Sequence, residues 1–403
     1  MTRVLALALG CLAAFPGEAA EWAIEPGIEG RASVTDNLNL TPGARESVGW
    51  FAASPSVVFS RNTESTRIAG SARLGLNWFP DDSSLNTIDQ AYSVNARQTT
   101  ERNAYGGSVA YTRDSTLASE LSTTGVVLDR KQRTLASVSP FWTYSLTERS
   151  SLTATYDYTR VAYEAGAGLD YVDQSATGGY QYLLSERTAL SLTGAYSNFQ
   201  TDIGSIETDT WSVYAGMKHS FGERTDLSFT LGKRRSDTVF TQTFAICPLG
   251  SPVLCDFFGV APVPVTASTK SSDDGLVLDA SADYRWDRTS MTLGAGRDVN
   301  PSGNGVVVQT DRVSGALRHD FSESVSSSLG AAYLRTRYLG NNGGDTDFFR
   351  IDAGISKKLD PWWSIGGGYA FAWQKAKEAP TAATANTVYL SIGYSWPRIS
   401  LSR

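Results

Sequence analysis

The fold class that the sequence predicts is all-β: a transmembrane antiparallel β-barrel of about 18 strands, with short periplasmic turns and longer extracellular loops. Three observations predict it. Apolar and polar residues alternate through long segments, aromatic residues gather at the ends of those segments, and short polar turns recur at a nearly constant spacing.

The alternation has a period of two residues, which places successive side chains on opposite faces of a strand. In Trp211–Phe221, for example, Trp211, Val213 and Met217 share one face. The alternating segments often run for 11 to 14 residues, whereas strands of soluble proteins are usually ~5–6 residues long. The length therefore favours a membrane barrel over a soluble β-sandwich.

Aromatic residues mark the ends of the segments, as expected for rings at the two lipid–water interfaces of a barrel. They are Trp78, Phe79, Phe141, Trp142, Trp286, Phe348, Phe349, Trp362, Trp363, Tyr394 and Trp396.

The short turns give the strand number. Their acidic residues are Glu64, Glu101, Glu148, Glu186, Glu223, Asp287, Glu323 and Asp360, and the steps between them are 37, 47, 38, 37, 64, 36 and 37 residues. Eight turns alternating with nine longer connections make 17 connections and hence about 18 strands, closing between Trp22–Val34 and Thr387–Trp396. The two long steps contain Ser115–Gln132 and Asp237–Ser272, which we expect to be outer loops.

The last segment changes phase at a proline. Residues up to Trp396 share one apolar phase, and after Pro397 the phase moves to Ile399 and Leu401. A β-bulge centred on the proline would allow this change of face.

The first twenty residues have the pattern of a secretory signal, with Arg3 before the apolar run Val4–Phe15 and small residues before position 21. The alternative is a lipoprotein signal cleaved before Cys11. We favour the first, so that 1–20 is a signal peptide and 21–403 is a single outer-membrane β-barrel domain.

Two cysteines then remain, Cys247 and Cys255, close together in one long connection. We expect a disulfide in an oxidising compartment, with two free thiols as the alternative.

The composition excludes several classes of protein. The formal net charge is −6, which disfavours nucleic-acid binding and attachment to anionic lipid by basic patches. After the signal, no apolar run has the length of a transmembrane helix. Two histidines, His219 and His319, and the lack of a hydrolase, zinc or phosphate-loop motif argue against an enzyme. We therefore expect no catalytic site, cofactor or metal.

Acidic residues at 81–82 and 273–274, and at 345 and 347, fall in predicted outer loops. They could bind calcium, or lipopolysaccharide through bridging cations, but their spacing fits no EF-hand, and solvated loop charge is the favoured interpretation.

The polar face of the strands is the candidate site, because an 18-strand barrel is wide enough to enclose water. Its charged and amide side chains suit neutral or zwitterionic polar solutes, including sugars, unless they only satisfy one another in the wall. The lumen-facing candidates are Arg73, Asn95, Arg97, Asp114, Asp157, Asp279, Asp283, Arg285, Arg350 and Asp352. On one strand, Tyr156 should face lipid and Asp157 the lumen.

Four motifs carry a resemblance to a known family: Val34–Leu38, Ser54–Ser56, Tyr111–Leu121 and Ser139–Trp142. They resemble the β-barrel porin 2 family of outer-membrane proteins, and the resemblance covers the mature chain. Members are often linked with exopolysaccharide production, so the resemblance implies passage of a polysaccharide. The helical periplasmic repeats of some exporters are missing here, so we expect any periplasmic export partner to be a separate chain.

The leading hypothesis is thus an outer-membrane channel for an exopolysaccharide. The alternatives are a general diffusion porin and a structural or adhesive barrel without transport. The expected partners are outer-membrane lipid, lipopolysaccharide and the barrel-insertion machinery, together with the polysaccharide and periplasmic export proteins that the resemblance implies.

Overall fold

The computed structural model describes residues 21–402, except 44–45, 126–129, 165–167, 203–204, 249–251, 262, 340–343 and 378. The predicted signal peptide and Cys11 lie outside the described residues. The strands are β1 Glu21–Thr35, β2 Val48–Asn62, β3 Thr66–Trp78, β4 Thr87–Thr99, β5 Asn103–Ser115, β6 Gln132–Thr147, β7 Ser150–Tyr163, β8 Tyr171–Ser185, β9 Thr188–Thr201, β10 Ile206–Phe221, β11 Thr225–Ile246, β12 Val263–Arg285, β13 Thr289–Pro301, β14 Val307–Asp320, β15 Val325–Tyr338, β16 Thr346–Lys358, β17 Trp363–Ala376, β18 Ala383–Ser395 and β19 Ile399–Ser402.

Every strand pairs with its neighbours in the antiparallel sense, and the sheet closes on itself because β1 pairs with β2 on one side and with β18 and β19 on the other. β18 and β19 occupy one position in the wall, since both lie against β1. The barrel therefore has 18 strand positions, and the fold predicted from the turn spacing is confirmed.

The break between β18 and β19 is the irregularity expected at Pro397. Gly27 lies opposite Ser395 and Ile24 opposite Ile399, so two residues of β1 face three residues of the last segment. The Trp396 N–H donates to the Pro26 carbonyl at 3.0 Å. One extra residue on one strand is a β-bulge, and it moves the following side chains to the other face.

Exposed apolar side chains define the outer face of the wall. On β10 they are Trp211, Val213 and Met217, and on β7 Tyr156 is 41% exposed. Asp157 lies on the opposite face of β7, across from Ser175 of β8. A continuous apolar outer face on a closed barrel is the surface that lipid covers.

Among the described residues, two helices interrupt the β structure, α1 at Thr116–Thr123 and α2 at Pro252–Phe258, and a short 3-10 turn lies at Ser83–Leu85. No helix in the described part of the chain is long and apolar enough to cross a membrane.

The structure corrects the prediction that both inserted segments are outer loops. The first contains α1, whose Leu121 packs against inward-facing residues of the barrel. The second is mostly strand, because β11 and β12 extend to Ile246 and from Val263 and leave a short connection that holds α2.

Candidate functional site: the divided lumen

The local sequence explains why α1 is a helix. The Ser115 side chain accepts a hydrogen bond from the Leu117 N–H at 3.3 Å, which caps the first turn. The helix is followed by Gly125 at φ +68°, a conformation that favours glycine at a helix end. Serine before and glycine after thus fix the length of the segment.

A buried ion pair holds α1 to the wall from which it emerges. The Glu120 carboxylate lies 3.6 Å from the Arg133 Nε atom of β6, and both side chains are 7% exposed. Glu120 also accepts hydrogen bonds from the Tyr163 hydroxyl and, at 3.3 Å, from the Thr124 hydroxyl. Pairing of this kind is required for a buried carboxylate, because an unpaired charge in such a place is strongly destabilising.

The other side of the segment is bound to strands far away around the barrel. Arg312 of β14 donates to the Ser122 carbonyl at 3.1 Å, and the Gln374 side chain of β17 donates to the Gly125 carbonyl at 2.6 Å. The Thr336 hydroxyl of β15 donates to the Thr124 carbonyl.

Apolar packing completes this contact. Leu121 packs against a buried cluster whose members come from the β1–β2 connection and from β15, β16 and β18: Leu40, Leu334, Phe348, Ala383 and Ala385. Since α1 starts at β5 and ends against β14–β17, it crosses the lumen and divides it into two sides.

The first side is a cavity of about 690 Å³ bounded by β1–β5 and β14–β18. Its lining includes five arginines, Arg31, Arg73, Arg113, Arg312 and Arg350, and we call this cavity the arginine chamber. The carboxylate of Glu29 lies 2.9 Å from Arg31 and 3.7 Å from Arg73. Two guanidinium groups therefore share one carboxylate.

Arg350 and Arg312 of the chamber differ in their partners. Arg350 lies 3.6 Å from Asp352. Arg312 forms no ion pair within 4.0 Å with any described carboxylate, and its described contact is the Ser122 carbonyl. Asp89 and Asp114 also line the chamber, and Asp89 accepts from the Asn77 side chain at 2.7 Å. The lining thus holds five arginines and three carboxylates, those of Glu29, Asp89 and Asp114, so its balance of charge is positive.

The second side is a cavity of about 440 Å³ bounded by β8–β14, which we call the acidic chamber. Asp173, Asp279 and Asp298 line it among many serine and threonine hydroxyls. Its one lining arginine, Arg234, is neutralised by Asp273 at 2.8 Å. This chamber is thus acidic, whereas the arginine chamber holds arginines together with carboxylates.

The lumen-facing candidates are distributed over both sides. Arg73, Asp114 and Arg350 line the arginine chamber, and Asp279 lines the acidic one. Asp352 pairs with Arg350, and Asp157 accepts from the Ser175 hydroxyl at 3.4 Å.

The remaining candidates belong to neither chamber. Asn95 and Arg97 lie nearer the periplasmic end of β4, and the Arg97 guanidinium carbon lies 5.8 Å from the ring centre of Phe141. Asp283 accepts from Thr292 at 2.7 Å, and Arg285 donates to Asp226 at 2.6 Å. The structure therefore brings only part of the predicted set together.

Sequence reasoning missed Arg31, Arg312 and the α1 contacts. Arg31 and Arg312 occupy the inward phase of their strands, so the alternation alone could have found them. In the α1 segment, Leu117 and Leu121 are four residues apart, and Glu120 lies four residues before Thr124, which follows the helix. That spacing between a capping serine and a glycine is a helix signal.

The disulfide lies outside the lumen. Cys247 and Cys255 are bonded, with a Cα–Cα distance of 5.9 Å, at the outer end of the β11–β12 hairpin. In the described residues, no three His, Cys, Asp or Glu side chains are grouped as a metal site.

The chain resembles solved outer-membrane barrels in overall structure. OpdQ of Pseudomonas aeruginosa is 11% identical, with 93% of this chain and 98% of that chain covered and a TM-score of 0.47. OccK2 (OpdF) of the same organism, solved in complex with glucuronate, is 11% identical, with 93% and 98% covered and a TM-score of 0.46. The ferric-catecholate import receptor Fiu of E. coli K12 is 10% identical, with 92% and 81% covered and a TM-score of 0.44. These similarities are too low to carry an argument about a solute.

No protein-family model matches the chain, and no curated protein matches it. The resemblance to the β-barrel porin 2 family therefore stays a prediction.

Proposed function

We propose that this protein is an outer-membrane channel that passes polar organic anions through the arginine chamber. The observation that carries the proposal is the convergence of Arg31, Arg73, Arg312 and Arg350 on one cavity beside a helix that narrows the lumen. A guanidinium group binds carboxylate and phosphate through paired hydrogen bonds, so this cavity suits anions with such groups.

The acidic chamber supports the same preference. Asp173, Asp279 and Asp298 repel anions from the far side of the lumen and leave the arginine chamber as the favourable path. A general diffusion porin does not require an arginine-rich chamber beside an acidic one, and an anchor without transport has no need of a charged cavity of this size. The geometry therefore favours a selective channel over both alternatives.

The polysaccharide hypothesis rests on the resemblance alone. If a polysaccharide is the solute, the arginine chamber favours an acidic one, since its carboxylates would meet the guanidinium groups. Loss of surface polysaccharide on deletion of the protein would support this version, and unchanged polysaccharide would refute it. Lipopolysaccharide, the insertion machinery and periplasmic export proteins remain proposed partners.

The direct test is the reversal potential of the purified protein in planar bilayers under a potassium chloride gradient. The wild type should prefer anions, and Arg312→Gln with Arg73→Gln should shift the reversal potential towards cation preference. The matched control is Arg285→Gln, which removes a guanidinium group that lines neither chamber and should change selectivity less. A wild-type channel without anion preference would overturn the proposal.

A further inference from the structure

One seam of the barrel wall is shorter than the others. β12 and β13 are paired over eight residues each, Leu278–Arg285 with Ser290–Arg297. β10 and β11 are paired over sixteen residues, and β13 and β14 over thirteen. A strand needs about 9–11 residues to cross the hydrocarbon layer. The paired part of the β12–β13 seam therefore ends within the depth of the outer leaflet.

On the extracellular side of this point, the β11–β12 hairpin and the β13–β14 hairpin separate. β12 continues outward to Val263, paired with β11 only, so the edge from Val263 to Val277 has no partner strand. β13 continues to Pro301 paired with β14, and its Val299 packs towards the buried cluster around Phe199. Unpaired strand edges are costly in hydrocarbon, so the gap needs another contact to close it.

That contact is made by Arg234 of β11, whose side chain is 1% exposed. Its Nη2 atom lies 2.8 Å from Asp273 of β12 and donates at 3.0 Å to the side-chain oxygen of Gln309 on β14. Its Nη1 atom donates to the Ser236 hydroxyl at 3.1 Å. In the described part of the chain, the bond to Gln309 is the side-chain hydrogen bond that joins the two hairpins above Leu278.

A glycine makes this bridge possible. Arg234 crosses β12 at Gly275, where an added Cβ atom would lie 2.7 Å from the Arg234 Nη2 atom. Any larger residue at 275 would force the guanidinium group to shift from this position. We call the contact of Arg234 with Asp273 and Gln309, for which Gly275 leaves room, the Arg234 bridge.

The acidic chamber lies directly behind this seam. Its lining includes Val277, Val299, Pro301 and Val307 beside the gap, as well as Arg234 itself. Further in, the same cavity presents Asp173, Asp279 and Asp298. A path from lipid into this cavity would pass apolar side chains first and carboxylates second.

We propose that the β12–β13 seam is a lateral opening between the acidic chamber and the outer leaflet, closed by the Arg234 bridge, and that it admits a cationic amphiphile. The apolar residues beside the gap receive the hydrocarbon tail, and the three carboxylates receive the cationic head. This site is separate from the arginine chamber, so it does not depend on the proposed anion passage.

The test measures access from lipid to the acidic chamber. A fluorophore is attached at Ser212→Cys, which lines the chamber, while Cys247 and Cys255 remain bonded. The protein is placed in phosphatidylcholine vesicles, and quenching is followed after addition of an alkylammonium nitroxide or a nitroxide fatty acid of equal chain length. We expect the cationic probe to quench faster, and Arg234→Met to raise its rate about tenfold, as expected when a hydrogen bond to a charged group is lost.

The matched control is Arg235→Met, one residue along the strand and on its outer face, which should leave the rate unchanged. Gly275→Ala should raise the quenching rate as Arg234→Met does, and it replaces that variant in the test if Arg234→Met does not fold. Folding of each variant is checked by heat-modifiable gel migration. Equal rates for Arg234→Met, Gly275→Ala and wild type would overturn the bridge. Equal quenching by the two probes would overturn the preference for a cationic amphiphile. Both outcomes would leave the anion selectivity of the arginine chamber untouched.

Discussion

The two inserted segments give the same signal in the sequence and have opposite positions in the structure. The segment after β5 turns into the lumen as α1 and is bound on both sides, by Arg133 and by Thr336. The segment between β11 and β12 projects outward as a long hairpin with a disulfide at its end. A longer repeat therefore locates an insertion but does not say on which side of the wall it lies.

The difference lies in what each segment can bury. The α1 segment carries Glu120 and Leu121, which find an ionic partner and an apolar cluster inside the barrel. The hairpin instead pairs its two strands with each other from Thr225 to Ile246. The contacts that an inserted segment can form, more than its length, decide whether it narrows the lumen or projects outward.

Replacing residues 117–130 by a short Gly-Ser linker should have the largest effect. Single-channel conductance should rise by roughly twofold or more, because an 18-strand barrel without an internal obstruction encloses a wide aqueous lumen. Removal of a longer segment from the outer hairpin, residues 243–266, should leave conductance nearly the same. Equal effects of the two deletions would contradict the opposite positions of the two segments.

Glu120→Ala should release α1 from the near wall. Removing one partner of a buried ion pair costs about 3–5 kcal/mol, because Arg133 is left uncompensated. Hydrogen exchange of residues 116–125 should accelerate, and the single-channel current should become noisier. Glu101→Ala, in an exposed periplasmic turn, is the control. A steady current and unchanged exchange in Glu120→Ala would show that the ion pair does not hold the helix.

Replacing both Cys247 and Cys255 by serine should loosen only the outer hairpin. Closing a loop of this size with a disulfide is worth about 2–3 kcal/mol in the chain-entropy model. Proteolysis at the hairpin end should therefore become faster, while conductance stays as in wild type. Mass spectrometry of non-reduced peptides should show the two cysteines linked in the parent protein. A changed conductance would mean that the hairpin also reaches the passage.

Gly125→Ala should have the smallest effect of the four. Alanine at a positive φ is strained by about 1 kcal/mol, and its Cβ atom would lie 3.0 Å from the Phe348 Cβ atom. We expect a slightly lower melting temperature and a small change in conductance. Gly222→Ala, at a positive φ in a periplasmic turn, should show the strain without the conductance change. A conductance change in both variants would remove the link to α1.

The sequence was sufficient to predict the strands of the barrel wall, but not the contacts inside the lumen. Turn spacing predicts the strand number, and the phase of Tyr156 and Asp157 predicts their faces, because both properties are local and periodic. The contact between Thr336 and Thr124 joins residues 212 positions apart, and no periodicity in the sequence predicts it. The separation of Arg312 from Asp279 likewise depends on which strands meet around the barrel, which alternation alone does not specify.

The closure of the wall at β1 makes the backbone nearly a ring. Glu21 lies opposite Ser402, and its carboxylate is 3.1 Å from the Arg398 guanidinium group. The two ends of the folded domain are therefore adjacent at the periplasmic rim, where a short peptide could join them. Circular permutants opened at an exposed periplasmic turn, such as the one at Asp287, would keep every strand neighbour of the parent barrel. The order in which strands leave the ribosome could then be varied independently of the architecture they reach.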